Sequence, residues 1–161
     1  MKWENKKEVK KGNIGEVAVE RFLEEQGFVV YKTTTDAPHP FDMLCVKDKN
    51  TVFAAEIKTK PKRTHYPDTG FNYTHYEDYL RMQKKGFSVH VFFVDEKEGV
   101  IYGNTLDKLS EKCTIEHEGD KLEYPKREKH IIYFPICNME FIDYLEEYEI
   151  NSIKEQYTGS Y

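Results

Sequence analysis

Apolar residues recur three and four apart from Ile14 onward, in a segment that reads NIGEVAVERFLEEQG. Ile14, Ala18, Val19, Phe22 and Leu23 fall on one face, which predicts an amphipathic helix. Asn13 suits its N-cap, and Gly27 suits the left-handed position just past its end. The period then drops to two. FVVYKT reads as a strand, the loop TDAPHP follows, and two more strands around a polar turn fill the stretch from Pro40 to Lys60. Thr74 and Glu77 form a capping box ahead of a second helix, with Thr74 as N-cap, His75 at the first helical position and Gly86 at the end. FSVHVFFVD, Phe87 to Asp95, has the continuous apolar character of a buried strand. Beyond it, short strands near VIYG and IIYF bracket the charged stretch EHEGDKLEYPKREK, and a last helix is expected from near Asn138 to about Lys154. The order α-β-β-β-α-β, followed by a C-terminal β/α extension, predicts an α/β domain whose mixed central sheet is flanked by helices. The 161 residues suffice for one domain, with its core at about 12–95 and the extension at 96–161.

Charge changes this picture more than composition does. The net charge of −5 argues against a polyanionic partner, but its distribution does not. Residues 1–63 hold 13 Lys and Arg against 10 Asp and Glu, a net of +3, so the remaining 98 carry −8. A basic front half could still steer a polyanion to one face. The lysines of MKWENKKEVKK precede no apolar stretch, and the longest strongly apolar run is VHVFFV, so no membrane or secretory segment is expected. Cys45, Cys113 and Cys137 lie far apart, too few for a disulfide framework and without zinc-ligand spacing. Two of them fall in apolar strands, as small hydrophobes of a protein in the reducing cytoplasm.

Candidate chemistry comes from the hairpin. A three-residue loop of Asp48, Lys49 and Asn50 would pair Lys47 with Thr51, with Asn50 supplying the left-handed geometry such loops need. Val46 then faces Val52, Leu44 faces Ala54, and Asp42 faces Glu56. A two-residue loop would mix the faces and break the apolar pairing. Two carboxylates opposed at roughly 5 Å between Cβ atoms are destabilising unless compensated. Lys58, two residues past Glu56 on the same face, compensates in part, and a divalent cation held by hard oxygen ligands would do so fully.

The segments PFD (Pro40 to Asp42) and EIK (Glu56 to Lys58), with the opening helix GEVAVERFLEEQGF, resemble the PD-(D/E)XK, or restriction-endonuclease-like, nuclease superfamily. The proline stands two positions before Asp42 rather than next to it, and the resemblance covers about residues 12–95. It implies a restriction-endonuclease-like core and Mg²⁺-dependent phosphodiester hydrolysis, most readily of DNA, with Mn²⁺ able to substitute. Asp42, Glu56 and the backbone carbonyl of Ile57 would hold the ion, and Lys58 would position or deprotonate the attacking water or neutralise the scissile phosphate. Glu16 has two readings of equal weight, an outer metal ligand or a capping-box glutamate three residues after Asn13. The alternative for the whole chain is a domain of this fold that binds nucleic acid or protein without cutting.

Lys60, Lys62 and Arg63 follow directly and are candidates for phosphate contacts, with a solvated loop as the competing reading for each. His75 is the best placed of the histidines to reach the site, whereas His39 and His65 read as polar loop surface. Tyr76 and Tyr79 belong to the core or its rim. The chain has little room for a separate target-reading domain, so a second copy or a protein partner would have to supply sequence specificity.

Overall fold

The computed structural model describes residues 6–33 and 40–156; His39 lies outside them. Its elements run α1 (Lys7–Glu25), β1 (Val29–Lys32), β2 (Met43–Asp48), β3 (Thr51–Thr59), β4 (Asp68–Asn72), α2 (Tyr73–Lys84), β5 (Val89–Asp95) and β6 (Val100–Thr105). The extension adds α3 (Leu106–Leu109), β7 (Cys113–His117), β8 (Asp120–Tyr124), β9 (Lys126–Glu128), β10 (Ile131–Pro135), β11 (Glu140–Tyr144) and α4 (Glu147–Glu155).

Six strands form the central sheet in the order β1-β2-β3-β5-β6-β11. β3 and β5 are parallel and the other pairs antiparallel, so the sheet is mixed. Alternation along β3 feeds two cores. Phe53, Ala55 and Ile57 join Ala18, Val19, Leu23 and Ile153 on the side of α1 and α4. Ala54 joins Phe71, Tyr79, Leu106 and Phe134 on the opposite side, under α2, α3 and the three-stranded sheet β4-β10-β9. The expected α/β architecture, a mixed sheet between helices, is therefore present.

Several local expectations are corrected. The first helix starts at Lys7, so Asn13 is an interior residue and not its N-cap. Gly15 is the reason α1 lies so close to the sheet. A Cβ there would stand 1.8 Å from Oγ1 of Thr59, so only glycine fits this helix–strand contact. The hairpin keeps the expected register, Val46 with Val52 and Leu44 with Ala54, but by a different turn. Asp48 rather than Lys47 pairs with Thr51, and a bulge at Lys47 absorbs the extra residue. Asp48 accepts from the Asn50 N–H at 2.8 Å, and Asn50 stays out of the left-handed region. Asn72, not Thr74, caps α2, because its Oδ1 accepts from both the N–H (2.9 Å) and the hydroxyl (2.7 Å) of Thr74.

The stretch expected as one helix from Asn138 to Lys154 divides into a 3-10 turn (Ile136–Asn138), β11 and α4. β11 pairs with β6 and satisfies backbone groups that a helix would have left open. Arg21 then bonds Glu149 on α4 at 2.9 Å and Asp143 on β11 at 3.3 Å, tying both to α1. β4 was not expected; it pairs with β10, 59 or more residues further on, across from Phe71 and Gly70. The cysteines are also differently placed. Cys45 is buried, but Cys113 and Cys137 are accessible and their sulfurs stand 3.7 Å apart. No helix among the described residues is long and apolar enough to cross a membrane.

Candidate active site

The same alternation that puts Ala54 into the second core puts Glu56 and Lys58 on that face, two and four residues further on. Glu56 is only 6% exposed, a charge that needs a partner. Lys58 supplies it, donating from Nζ to Glu56 Oε1 at 2.6 Å. The ammonium also lies 5.4 Å from the centre of the Phe71 ring and 3.4 Å from Nδ1 of His75. His75 therefore reaches the site from the third helical position of α2, not the first. Burial, and then the Lys58 charge, hold its pKa below the usual histidine range. The neutral ring accepts the lysine's hydrogen bond.

Asp42 lies one residue before β2, where the ladder has ended at Met43 with Ala55. Its backbone remains tied in: its N–H donates to Ala55 at 3.0 Å and its carbonyl accepts from the Thr33 N–H at 3.2 Å. One carboxylate oxygen accepts from the Ile57 N–H at 2.7 Å. Asp42 is therefore brought to Glu56 as expected, but it reaches across to the backbone of β3 instead of continuing the cross-strand pairs. Burial, then the Glu56 charge, raise its pKa to about 8, Glu16 adding to the rise and the Ile57 N–H and Lys58 opposing it.

Glu16 comes from α1 on the other side of the sheet end. With the helix beginning at Lys7, the capping-box reading of Glu16 is removed, since it stands more than two turns inside. Burial raises its pKa, Glu56 and Glu20 add to that, and Lys32 and a hydrogen bond with Asp42 lower it. Burial and crowding by the neighbouring carboxylates thus raise both carboxyls. Among the described residues, no three His, Cys, Asp or Glu side chains are grouped so that together they could hold a metal ion.

Tyr79 is both core and site. It is 2% exposed, packs on Phe71, and hydrogen-bonds Glu56, which together with burial raises its phenol well above the usual range. The sequence marked it for the core or its rim, and only the tertiary packing shows the contact with Glu56. Phe71, beneath Lys58, carried no sequence signal at all.

The basic segment after β3 separates into three different environments. Lys60 is half-buried among Lys58, Lys11 and Arg63, and desolvation first, then those charges, lower its pKa to about 8. Lys62 is more exposed and pairs at 3.4 Å with Glu98. Arg63 is fully engaged. It donates to both oxygens of the buried Asp68 at 2.6 and 2.7 Å and to Glu128 at 2.9 Å, and stacks on Tyr133 at 3.6 Å and Tyr66 at 4.2 Å. Tyr124 donates to Asp68 as well, at 2.6 Å.

No protein-family model matches the chain, and no curated protein matches it in sequence. Among solved structures, it is similar to Hjc of Archaeoglobus fulgidus, a Holliday junction resolvase from an archaeal hyperthermophile. The identity is 13%, the TM-score 0.55, and the match covers 79% of this chain and 90% of that one. At that identity the likeness is one of fold: the mixed sheet and flanking helices of this chain follow the architecture of a resolvase.

Proposed function

We propose that the protein is a Mg²⁺-dependent nuclease of the PD-(D/E)XK type that hydrolyses phosphodiester bonds, DNA being the preferred substrate and Mn²⁺ a working substitute. One observation carries this reading. Glu16 from α1, Asp42 from just before β2 and Glu56 from β3 interact with one another, and Lys58 stands two residues past Glu56 on the same strand face. A protein that only folds or binds has no use for three crowded carboxyls. The likeness of fold to a junction resolvase supports the same reading.

The donor set fits a hard divalent ion. Asp42 and Glu56 would be its carboxylate ligands, Ile57 would add the carbonyl between Glu56 and Lys58, and Glu16 would be an outer ligand. Mg²⁺ keeps several waters, so two carboxylates and a carbonyl suffice without a closed cage. When bound, the ion supplies Lewis acidity and lowers the pKa of a coordinated water. The chain's own residues do the rest. Asp42 and Glu56 would present negative charge to the ion. Lys58 turns from Glu56 toward the reacting phosphate, where it orients water or neutralises charge. His75 and Phe71 limit the positions its ammonium can take. Tyr79 hydrogen-bonds Glu56 from the core and so helps to orient its carboxylate. Lys60 and Lys62 contact phosphates, while Arg63 positions that segment through Asp68 rather than touching the strand.

A second reading, binding without cleavage, is favoured by the Lys58–Glu56 pair itself, which neutralises both groups in the absence of a ligand. The two are separated by incubating the protein with branched, linear and single-stranded DNA and RNA in Mg²⁺ or Mn²⁺. Cleavage by the wild type and none by a folded Lys58→Ala variant is the expected result. Full activity in Lys58→Ala removes the lysine from the chemistry. Tight binding with no cleavage of any substrate leaves the binding module.

A further inference from the structure

The turn between β9 and β10 carries chemistry that the carboxylate cluster does not use. Residues 126–130 read KREKH, three fixed cations and a histidine against one carboxylate. Side chains on β9 alternate. Glu128 turns to one side, where it takes Arg63 at 2.9 Å and Lys126 at 3.0 Å. Arg127 turns to the other side and lies over the Tyr73 ring, 3.9 Å from its centre. Its Nε donates to the Lys129 carbonyl at 3.1 Å, which fixes the plane of the guanidinium. Arg127, Lys129 and His130 are all exposed, and none has an acidic partner among the described residues.

This turn is joined to the candidate active site. The N–H of Tyr73 donates to the carbonyl of His130 at 2.7 Å. Tyr73 is the first residue of α2, and His75, two residues on, is the one that touches Lys58. Lys129 sits at φ 54, a left-handed conformation in which a lysine is uncommon and which keeps the turn tight. A guanidinium held flat on an aromatic ring is an ordered fork of donors with its outer edge open. Apart from the Nε bond to Lys129, no acidic side chain among the described residues takes those donors.

We infer that Arg127 and Lys129, with Tyr73 beneath, form a strand-gripping arm that takes the phosphodiester backbone of a nucleic acid beside the cleavage position. The inference rests on the nuclease reading and adds a contact surface to it. The arginine fork takes two oxygens of one phosphate, and Lys129 meets a neighbouring phosphate as a point charge. The arm comes from the extension and meets α2 at its first residue, so it adds a phosphate contact separate from Lys60 and Lys62.

The test is fluorescence anisotropy with a labelled four-way junction, a linear duplex and a single strand, in EDTA so that nothing is cut. Arg127→Gln with Lys129→Gln should weaken binding and reduce the salt slope by about two, near 0.9 for each lost phosphate. Arg127→Lys should keep the slope and lose affinity, since it keeps the charge and loses the planar fork. A charge-matched control, Lys85→Gln with Lys154→Gln, lies at the far end of α2 and on α4 and should change neither. Melting curves of each variant confirm the fold, and the single Lys129→Gln variant, with an expected slope loss of about one, repeats the test with the least change. An arm variant that binds as the wild type does, or a control that loses as much, overturns the arm alone. A wild type that binds none of the three DNAs overturns the arm and the nuclease reading together.

Discussion

Asp42→Asn should stabilise the metal-free protein, by an amount that grows with pH. Burial and the charge of Glu56 raise the Asp42 carboxyl from 3.8 to about 8. The folded protein therefore keeps a proton that the unfolded chain releases between about pH 4 and 8. In that window the unfolded state binds fewer protons, so stability falls as pH rises. Below about pH 4 both states are protonated and the penalty is absent; above about pH 8 it is complete. A carboxyl moved that far could cost the folded state roughly 5 kcal/mol at most. Water at the mouth of the site screens the charges, and about 1–3 kcal/mol is the expected measurable gain. Asparagine keeps the shape and an acceptor for the Ile57 N–H, which Asp42 holds at 2.7 Å. Thermal melts of both proteins in EDTA, from about pH 4.5 to 8.5, should show a difference that starts near zero and reaches several degrees, at about 2–4 °C per kcal/mol for a domain of this size. Mg²⁺ or Mn²⁺ should then raise the wild-type melting temperature, because an ion that binds only the folded state stabilises it, and should do much less for the variant. An Asp42→Asn protein that is less stable than wild type at high pH, with metal moving neither, would refute both the crowding and the ion.

Gly15→Ala should cost about 1–3 kcal/mol, as overpacking does, because its Cβ would meet Thr59 Oγ1 at 1.8 Å. It should also lower cleavage by moving Glu16, and an urea titration with unchanged midpoint would show that α1 can shift freely. Arg63→Lys should lose about 1–3 kcal/mol by breaking the two-pronged contact with buried Asp68, while leaving the salt slope of DNA binding unchanged. A lost slope at wild-type stability would return Arg63 to the nucleic acid. Lys60→Gln with Lys62→Gln should reduce that slope by up to about two, measured by anisotropy across a salt series, and an unchanged slope would move the strand elsewhere.

Much of the site was legible because strand periodicity is a local property. Side chains alternate whatever a strand pairs with, so Glu56 and Lys58 had to share a face with Ala54. The apolar match of Val46 with Val52 and Leu44 with Ala54 was enough to set the register, even though the turn itself formed by another route. Helix ends were less legible. Asn13 and Thr74 both look like caps, but a cap is chosen by competition, and Lys6 and Asn72 hold the N-cap positions instead. Tertiary structure alone decided the rest. Glu16 reaches Asp42 because Gly15 lets α1 settle onto β3. β4 exists because β10 pairs with it, and Arg63 became an internal anchor because that small sheet brings Asp68, Glu128 and Tyr133 around it. The same sheet carries Arg127 to Tyr73. Residue types and their period determine which side chains share a face; which distant face they meet depends on pairing energies summed over the whole chain, and no single segment contains them.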